Sequence, residues 1–264
     1  MEGIKNISTC RHTWENFSDW CEAVAISLYQ PVHKVLTENI DQDLEEQYMR
    51  IAAKYGEDIN KFPKLLAYVM EELEFFPSDF LGEAFMQLEL GSHYQGQFFT
   101  PNSVSLMMAK MMLGNVTPRE DGTPLTFNEP ACGAGGMVIN AAISLRDQKI
   151  NYHDNMHVVC QDISNICFYM SYIQLSLMGI SAEVRRGDSL TNEVWLNWRT
   201  IMSVMKGFTI DGINAYRELN NRMVTLPEVV EPVIDNIIAI PEVMPISKMI
   251  DPMRTKQVSF DAFF

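Results

Sequence analysis

Long apolar runs are missing from this chain. No stretch approaches the ~20 consecutive apolar residues that a membrane-spanning helix needs, and residues 1–5 carry no apolar core of a signal peptide. Cysteine is scarce and odd in number: the five in 264 residues all stand inside helix-like or strand-like patterns. That usage is typical of reduced, buried thiols. We therefore expect a cytoplasmic protein without membrane segments.

Positive charge is also in short supply. The chain has 20 Lys and Arg against 34 Asp and Glu, a formal net charge of −14 and a pI of about 4.7. A protein that binds duplex DNA by itself usually presents a basic face, and the pair Arg185–Arg186 does not make one. Either a partner subunit supplies the DNA contacts or the chain does not bind DNA alone. An acidic surface that imitates DNA is a third reading, and it needs a regular array of carboxylates.

A glycine-rich turn stands between a predicted strand and a predicted helix. Residues 128–137 read Asn-Glu-Pro-Ala-Cys-Gly-Ala-Gly-Gly-Met, after an apolar lead-in with Leu125 and Phe127. Doubly wound α/β domains hold nucleotide-like ligands at such a unit, because glycines let the backbone approach closely and the helix start offers free N–H groups. The spacing is not GxGxxG, and a plain tight turn would have the same composition.

Three further signals surround the turn. Residues 96–101 read Gly-Gln-Phe-Phe-Thr-Pro, a predicted strand at 156–162 ends in Asp162, and a predicted strand at 182–187 is followed by Asp188. In order and rough spacing the four signals resemble those of the adenine-N6 DNA methyltransferases, in particular the modification subunit of type I restriction–modification systems. The likeness covers roughly residues 80–190.

The resemblance implies S-adenosylmethionine as the cofactor. The glycine turn would lie against its methionyl part, Glu129 would take its ammonium group, and Thr100 would cap a helix and face its carboxylate, with Pro101 in the first helical position. Asp162 would accept the ribose hydroxyls and Asp188 the adenine amine. The predicted cofactor-binding residues are Gln97, Phe98, Phe99, Thr100, Pro101, Glu129, Ala131, Gly133, Gly135, Asp162, Ile163, Asp188, Ser189 and Leu190.

Plainer roles exist for several of these residues. Asp162 could simply cap the helix that follows it, and Asp188 could cap its own loop. His153, His157 and Cys160 invite a zinc interpretation, but zinc needs four converging ligands and no second cluster supplies them. We expect no metal site.

The catalytic signature of adenine-N6 methyltransferases is missing. The tetrad Asn/Asp-Pro-Pro-aromatic accepts hydrogen bonds from the target amine and stacks on the flipped base, and it does not occur in this sequence. Asn197 and Trp198, in the Trp-Leu-Asn-Trp stretch 195–198, are weak substitutes. The resemblance therefore implies cofactor binding more strongly than catalysis.

Three functions stay open at this point. The first is an adenine-N6 DNA methyltransferase whose DNA recognition comes from a partner, such as the specificity subunit of a restriction–modification system. The second is a catalytically inactive methyltransferase-like module that acts by binding the cofactor or a protein, for example in modulating restriction. The third is a methyltransferase with a substrate other than DNA.

The expected fold is a Rossmann-like α/β methyltransferase fold with a parallel-sheet core, possible truncation of that sheet, and a preceding helical domain. Expected domains are a helical one at 1–92, the cofactor-binding one at 93–210, and a helix with a proline-punctuated tail at 211–264. Three local predictions accompany them. Pro31 ends the first helix, methionines fill the core beneath helix 101–113, and residues 192–205 form one helix with Trp195 and Trp198 turned inward.

Overall fold

The computed structural model describes residues 7–8, 11–89 and 99–224. The chain divides into two units, residues 1–210 and 211–264. The described part of the first unit opens with helices and continues with a mostly parallel sheet. The predicted α/β class behind a helical N-terminal segment is therefore confirmed. Gln97, Phe98 and the tail after residue 224 lie outside the described residues.

Helices fill the N-terminal segment. The elements are α1 (Thr13–Thr37), α2 (Gln42–Tyr55), a 3-10 helix (Gly56–Lys61), α3 (Phe62–Phe75) and α4 (Phe80–Glu89). Asp41 caps α2 by accepting a hydrogen bond from the Leu44 N–H. Across the described residues, none of the helices combines the length and the hydropathy of a membrane span.

Helix α1 is longer than the sequence predicts. Its predicted end at Pro31 is wrong, because the helix continues through this proline to Thr37. A proline inside a helix removes one backbone hydrogen bond and costs about 3 kcal/mol. Tyr29 and Val32, on either side of it, are buried, and the burial of their apolar surface helps to offset that cost.

The residues from 99 onward build the α/β part. The elements are α5 (Asn102–Leu113), β1 (Leu125–Glu129), α6 (Gly136–Asp147), α7 (Tyr152–Asn155), β2 (Met156–Asp162), α8 (Asn165–Leu177), β3 (Ala182–Asp188), β4 (Glu193–Arg199), α9 (Ile201–Lys206) and α10 (Ile210–Val224). Within the described residues they form a four-stranded sheet in the order β1-β2-β3-β4, with the first three strands parallel. The ends of these three strands, Glu129, Asp162 and Asp188, therefore lie at one edge of the sheet, which we call the carboxyl edge.

Strand β4 runs antiparallel to β3, so the predicted helix over residues 192–205 is wrong. In β4 the exposed Asn197 is followed by the buried Trp198, and the register shifts by one residue at the exposed Trp195. Successive side chains of a strand point to opposite faces, so only the Trp198 side of this end of β4 faces the core. Pairing with the edge of β3 gives the backbone N–H and C=O groups of β4 their hydrogen-bond partners, and this favours a strand over the predicted helix.

Aromatic packing joins the helical segment to the sheet. Tyr29 of α1 stacks on Trp198 of β4, with ring centroids 4.2 Å apart and ring planes 5° apart. Tyr172 of α8 meets both rings edge-on. Trp198 therefore has the core position that the sequence predicts, although in a strand. Trp195 does not, since it is exposed under the guanidinium of Arg186.

Helix α5 turns its methionines outward, which makes their predicted role as core filler wrong. Met111 is 77% exposed, and three further methionines of this helix are exposed as well: Met107, Met108 and Met112. The buried side of α5 consists of Ser105, Ala109 and Leu113. Two of these three are small, which lets α5 pack closely against α6.

Candidate functional site

The glycine turn joins β1 to α6. Gly133 and Gly135 have positive φ angles of 54° and 96°, which residues with a Cβ rarely adopt. Gly133 also has a close neighbour, because a Cβ at this position would lie 2.9 Å from the ring of Phe99. The backbone conformation therefore explains why glycine stands at both positions. At Gly133 the close Phe99 ring is a second reason, because it leaves no room for a side chain.

Asp162 ties this turn to the end of β2. Its Oδ2 accepts a hydrogen bond from the Gly133 N–H at 2.9 Å, and its Oδ1 accepts one from the Ser164 N–H at 2.9 Å. The second bond closes a turn ahead of α8, whose capping residue is Ser164, so Asp162 does not itself cap the helix. Cys167 also contacts the Asp162 side chain, and the four lone pairs of a carboxylate leave room for one further donor. The structure thus brings Asp162 and the glycine turn together.

The end of β3 is fastened to the same turn. Ser189 Oγ donates to the Pro130 carbonyl at 2.5 Å, and Asp188 Oδ1 accepts from the Leu190 N–H at 2.8 Å, so Asp188 caps its own loop. Leu190 is 96% exposed, and Ile163, which follows β2, is 58% exposed. These two exposed apolar side chains, which follow neighbouring strands, give the carboxyl edge an apolar surface on which the flat ring of a ligand could pack.

The remaining predicted residues flank the turn. Glu129 is half-buried, and its Oε1 accepts from the Ala131 N–H at 3.4 Å. The predicted capping of α5 by Thr100 is wrong by one residue, because Pro101 takes the capping position and the helix starts at Asn102. The ψ of 141° at Pro101 is extended, so the chain turns helical only after it. Thr100 is exposed ahead of the helix.

The two weak catalytic candidates lie away from the carboxyl edge. Asn197 pairs with Arg185 and Trp198 with Val184, about 10 and 13 Å from the Asp188 end at ~3.3 Å per residue. The Trp198 ring is also buried in the core. These positions argue against both assignments, since the antiparallel direction of β4 carries its last residues toward the opposite edge.

A buried pair behind the turn is not evident from the sequence. Asp79, which precedes α4, accepts at Oδ1 from the Gly82 N–H at 3.0 Å and from Gln174 Nε2 at 2.9 Å. Gln174 Nε2 also donates to the Ala134 carbonyl at 2.8 Å. Burial raises the pKa of Asp79 in spite of these hydrogen bonds. The sequence feature that could have indicated Asp79 is its place three residues before a glycine at the start of a helix. No sequence feature indicates Gln174.

Cysteines and histidines near the site have structural partners. The hydrogen-bonding contact with Cys160 and the burial of Cys132 raise the pKa of the Cys132 thiol well above its usual range, and a protonated thiol is a poor nucleophile. His153 Nδ1 lies 2.7 Å from the Gly179 carbonyl, and His157 Nδ1 lies 2.9 Å from Ser181 Oγ. No three His, Cys, Asp or Glu side chains of the described ranges converge as metal ligands.

Three solved structures are similar to this chain at low identity. A type I restriction-modification system methyltransferase subunit from Streptococcus thermophilus is 20% identical, over 62% of this chain and 39% of that chain, with a TM-score of 0.34. A chain assigned as a modification subunit of a type I restriction enzyme from Vibrio vulnificus is 19% identical, over 46% and 25%, with a TM-score of 0.34. A chain assigned as a class I S-adenosylmethionine-dependent methyltransferase from Listeria monocytogenes is 16% identical, over 68% and 55%, with a TM-score of 0.36. This chain spans from a quarter to just over half of their lengths.

A family match is more specific than these likenesses. No curated protein matches the chain, but the N-6 DNA Methylase family matches residues 80–208. That range runs from α4 to the residues after α9 and contains the glycine turn and all three parallel strands. Residues 80–208 thus match the family that the four sequence signals indicate.

Proposed function

We propose that this chain binds S-adenosylmethionine at the carboxyl edge and forms the cofactor-binding part of an adenine-N6 DNA methyltransferase. One observation carries the proposal: the hydrogen bond from the Gly133 N–H to Asp162 Oδ2. It unites the glycine turn with the acid expected to hold the ribose. The family match over the same residues supports it.

The methionyl part of the cofactor would lie along the glycine turn. Glu129 ends β1 beside the turn and carries the negative charge that suits an ammonium group. The first N–H groups of α5 have no partner within the helix and favour an anion, so they and the Thr100 hydroxyl would take the carboxylate. Gln97 and Phe98 stay predictions at this end of the site.

The adenosine part would extend toward the ends of β2 and β3. Asp162 has a lone pair left for a ribose hydroxyl, while Ile163 and Leu190 offer apolar surface to the adenine. Asp188 and Ser189 supply acceptors near the adenine amine. Each role uses a residue at the carboxyl edge, where α/β folds bind their ligands.

Substitution of Asp162 tests the proposal. Titration calorimetry of the wild type should show binding of S-adenosylmethionine, and Asp162→Asn should weaken it about 10- to 100-fold, since a charge-assisted hydrogen bond contributes about 1.5–3 kcal/mol. Asp147→Asn is the matched control, because Asp147 is an exposed carboxylate at the end of α6 that pairs with Lys110. A wild type without heat or thermal shift at millimolar ligand would refute cofactor binding.

Methyl transfer and DNA recognition are the less supported half of the proposal. The acidic composition argues that DNA contacts come from a partner or specificity subunit, and the free, buried cysteines of the described residues fit a reducing cytoplasm. Transfer of a labelled methyl group to adenine in duplex DNA, with and without a type I specificity subunit, tests this half. Product with RNA or protein instead would indicate another substrate.

A second function is favoured by the positions of Asn197 and Trp198. Neither residue lies at the carboxyl edge, and the catalytic tetrad is missing from the sequence. A module that binds the cofactor or a protein without methylating anything would have these features. Cofactor binding in calorimetry together with no methyl transfer to DNA under any partner condition would select this function.

A further inference from the structure

Asp79 lies on the core side of the glycine turn, where two helices begin. Gly82 is in the first turn of α4, and Gly136 is the first residue of α6. A Cβ at Gly136 would lie 2.8 Å from Asp79 Oδ2, and a Cβ at Gly82 would overlap the same carboxyl group. One carboxyl group therefore fills the space that two glycines leave open.

Gln174 fixes the orientation of that carboxyl group. Its Nε2 donates both to Asp79 Oδ1 and to the Ala134 carbonyl, and its Oε1 accepts from the Leu81 N–H at 2.9 Å. The amide thus connects α4, α8 and the glycine turn. Because Gln174 and Gly82 both bond to Oδ1, the other oxygen is the one nearest Gly136.

The start of α6 is the place where nucleotide-binding turns hold a phosphate. Free N–H groups and the helix dipole attract an anion there. In this chain a protein carboxyl group already stands beside that helix start, and it is only 6% exposed. Burial and the nearby Glu83 raise its pKa, whereas the hydrogen bonds from Gln174 and Gly82 oppose this rise by favouring the ionised form. A buried negative charge repels phosphate and attracts a cation with little screening.

We propose that Asp79 is a specificity-determining residue of the glycine turn: its carboxylate, oriented by Gln174, makes the start of α6 favour a positively charged ligand over a phosphate. The inference rests on the proposed binding of S-adenosylmethionine, whose sulfonium is a cation. S-adenosylhomocysteine lacks only the methyl group and the charge, so comparing the two ligands isolates the electrostatic contribution of Asp79.

Two neutral variants separate this role from a structural one. Asp79→Asn keeps the shape and an oxygen for Gly82 and Gln174, and Asp79→Ser keeps a hydroxyl that caps α4. In both, the affinity for S-adenosylmethionine should fall by about four-fold or more, because an attraction between the carboxylate and the sulfonium is lost. The affinity for S-adenosylhomocysteine should stay within about two-fold, and ATP should compete better than in the wild type.

The test is calorimetry with both ligands, together with ATP competition. It compares the wild type, both variants and the control Asp147→Asn, and thermal unfolding confirms that each variant is folded. If both ligands weaken equally, or if the ratio of the two affinities is unchanged in the folded variants, Asp79 has no charge-based role and the inference is wrong while the proposed function stands. If the wild type binds neither ligand, the proposed function fails and this inference with it.

Discussion

Glu183 illustrates how the neighbours of one residue set its titration. It is buried in β3, where its Oε1 accepts from the Ile210 N–H at 2.8 Å and lies 3.5 Å from His157 Nε2. Its Oε2 accepts from Arg185 at 2.7 Å. Burial raises the pKa of Glu183, but these three contacts outweigh burial and bring the pKa down to about 2.

This lowered pKa predicts a loss of stability in acid. A carboxyl group whose pKa is lower in the folded chain stabilises the fold above its unfolded pKa, and this contribution disappears as the pH falls toward the folded pKa. At pH 7, Glu183→Gln should lower the free energy of unfolding by about 2 kcal/mol. The difference from the wild type should shrink as the pH falls from the usual 4.5 toward about 2.

Urea unfolding of both proteins at pH 7, 4 and 3 measures this difference. Glu193→Gln is the control, because Glu193 is an exposed acid on the neighbouring strand and its removal should change stability by less than about 0.5 kcal/mol. A difference between Glu183→Gln and the wild type that stays constant with pH would contradict the assignment of the lowered pKa.

The residues at the strand ends were predictable because their chemistry is local. Gly133 and Asp162 each stand where a strand gives way to a turn, and their spacing alone places them near each other in a doubly wound fold. The Asp79–Gln174 pair was not predictable, since its members are 95 residues apart and neither belongs to a spaced motif. Only the packing of α4 on α8 brings them together.

At the scale of elements, the periodicity of apolar residues predicts the type and bounds of an element wherever that element is buried on one side or completely. The bounds of β2 and β3 agree with their predicted ranges to within one residue, because buried parallel strands are short apolar runs between turns. The errors at Pro31, at β4 and on α5 have a common cause. In each case a neighbouring element decides the outcome, through burial of Tyr29, pairing with β3 or close packing on α6.

Helix α5 offers a stability test of its outward methionines. Met111→Gln should change the free energy of unfolding by less than about 0.5 kcal/mol, since a largely exposed side chain loses little on substitution. Leu113→Ala on the same helix should cost about 2–4 kcal/mol, because Leu113 is buried and its truncation leaves a cavity. Denaturant unfolding of both variants measures the pair. A cost above about 1 kcal/mol for Met111→Gln would place that side chain in a packed environment.

At the scale of the whole molecule, the two described parts of residues 1–210 share one core. The stacked rings of Tyr29 and Trp198 lie between α1 and β4, and Phe85 of α4 contacts Phe99 at a centroid distance of 5.0 Å. Phe99 in turn lies against the glycine turn. The helical segment therefore acts as a support on which the candidate cofactor site is built, and the site depends on its packing.

The charge of the whole chain leads to the last prediction. A net charge of −14 repels a polyanion, and DNA binding draws most of its strength from contacts between basic residues and phosphates. The isolated chain should therefore not retard a labelled duplex in a gel shift at low salt, even at ~10 μM protein, where non-specific binders with a basic face do so. A basic protein of similar size in the same gel is the control for sensitivity. Retardation by this chain alone, lost as the salt concentration rises, would show a basic face that its composition hides and would remove the need for a DNA-binding partner.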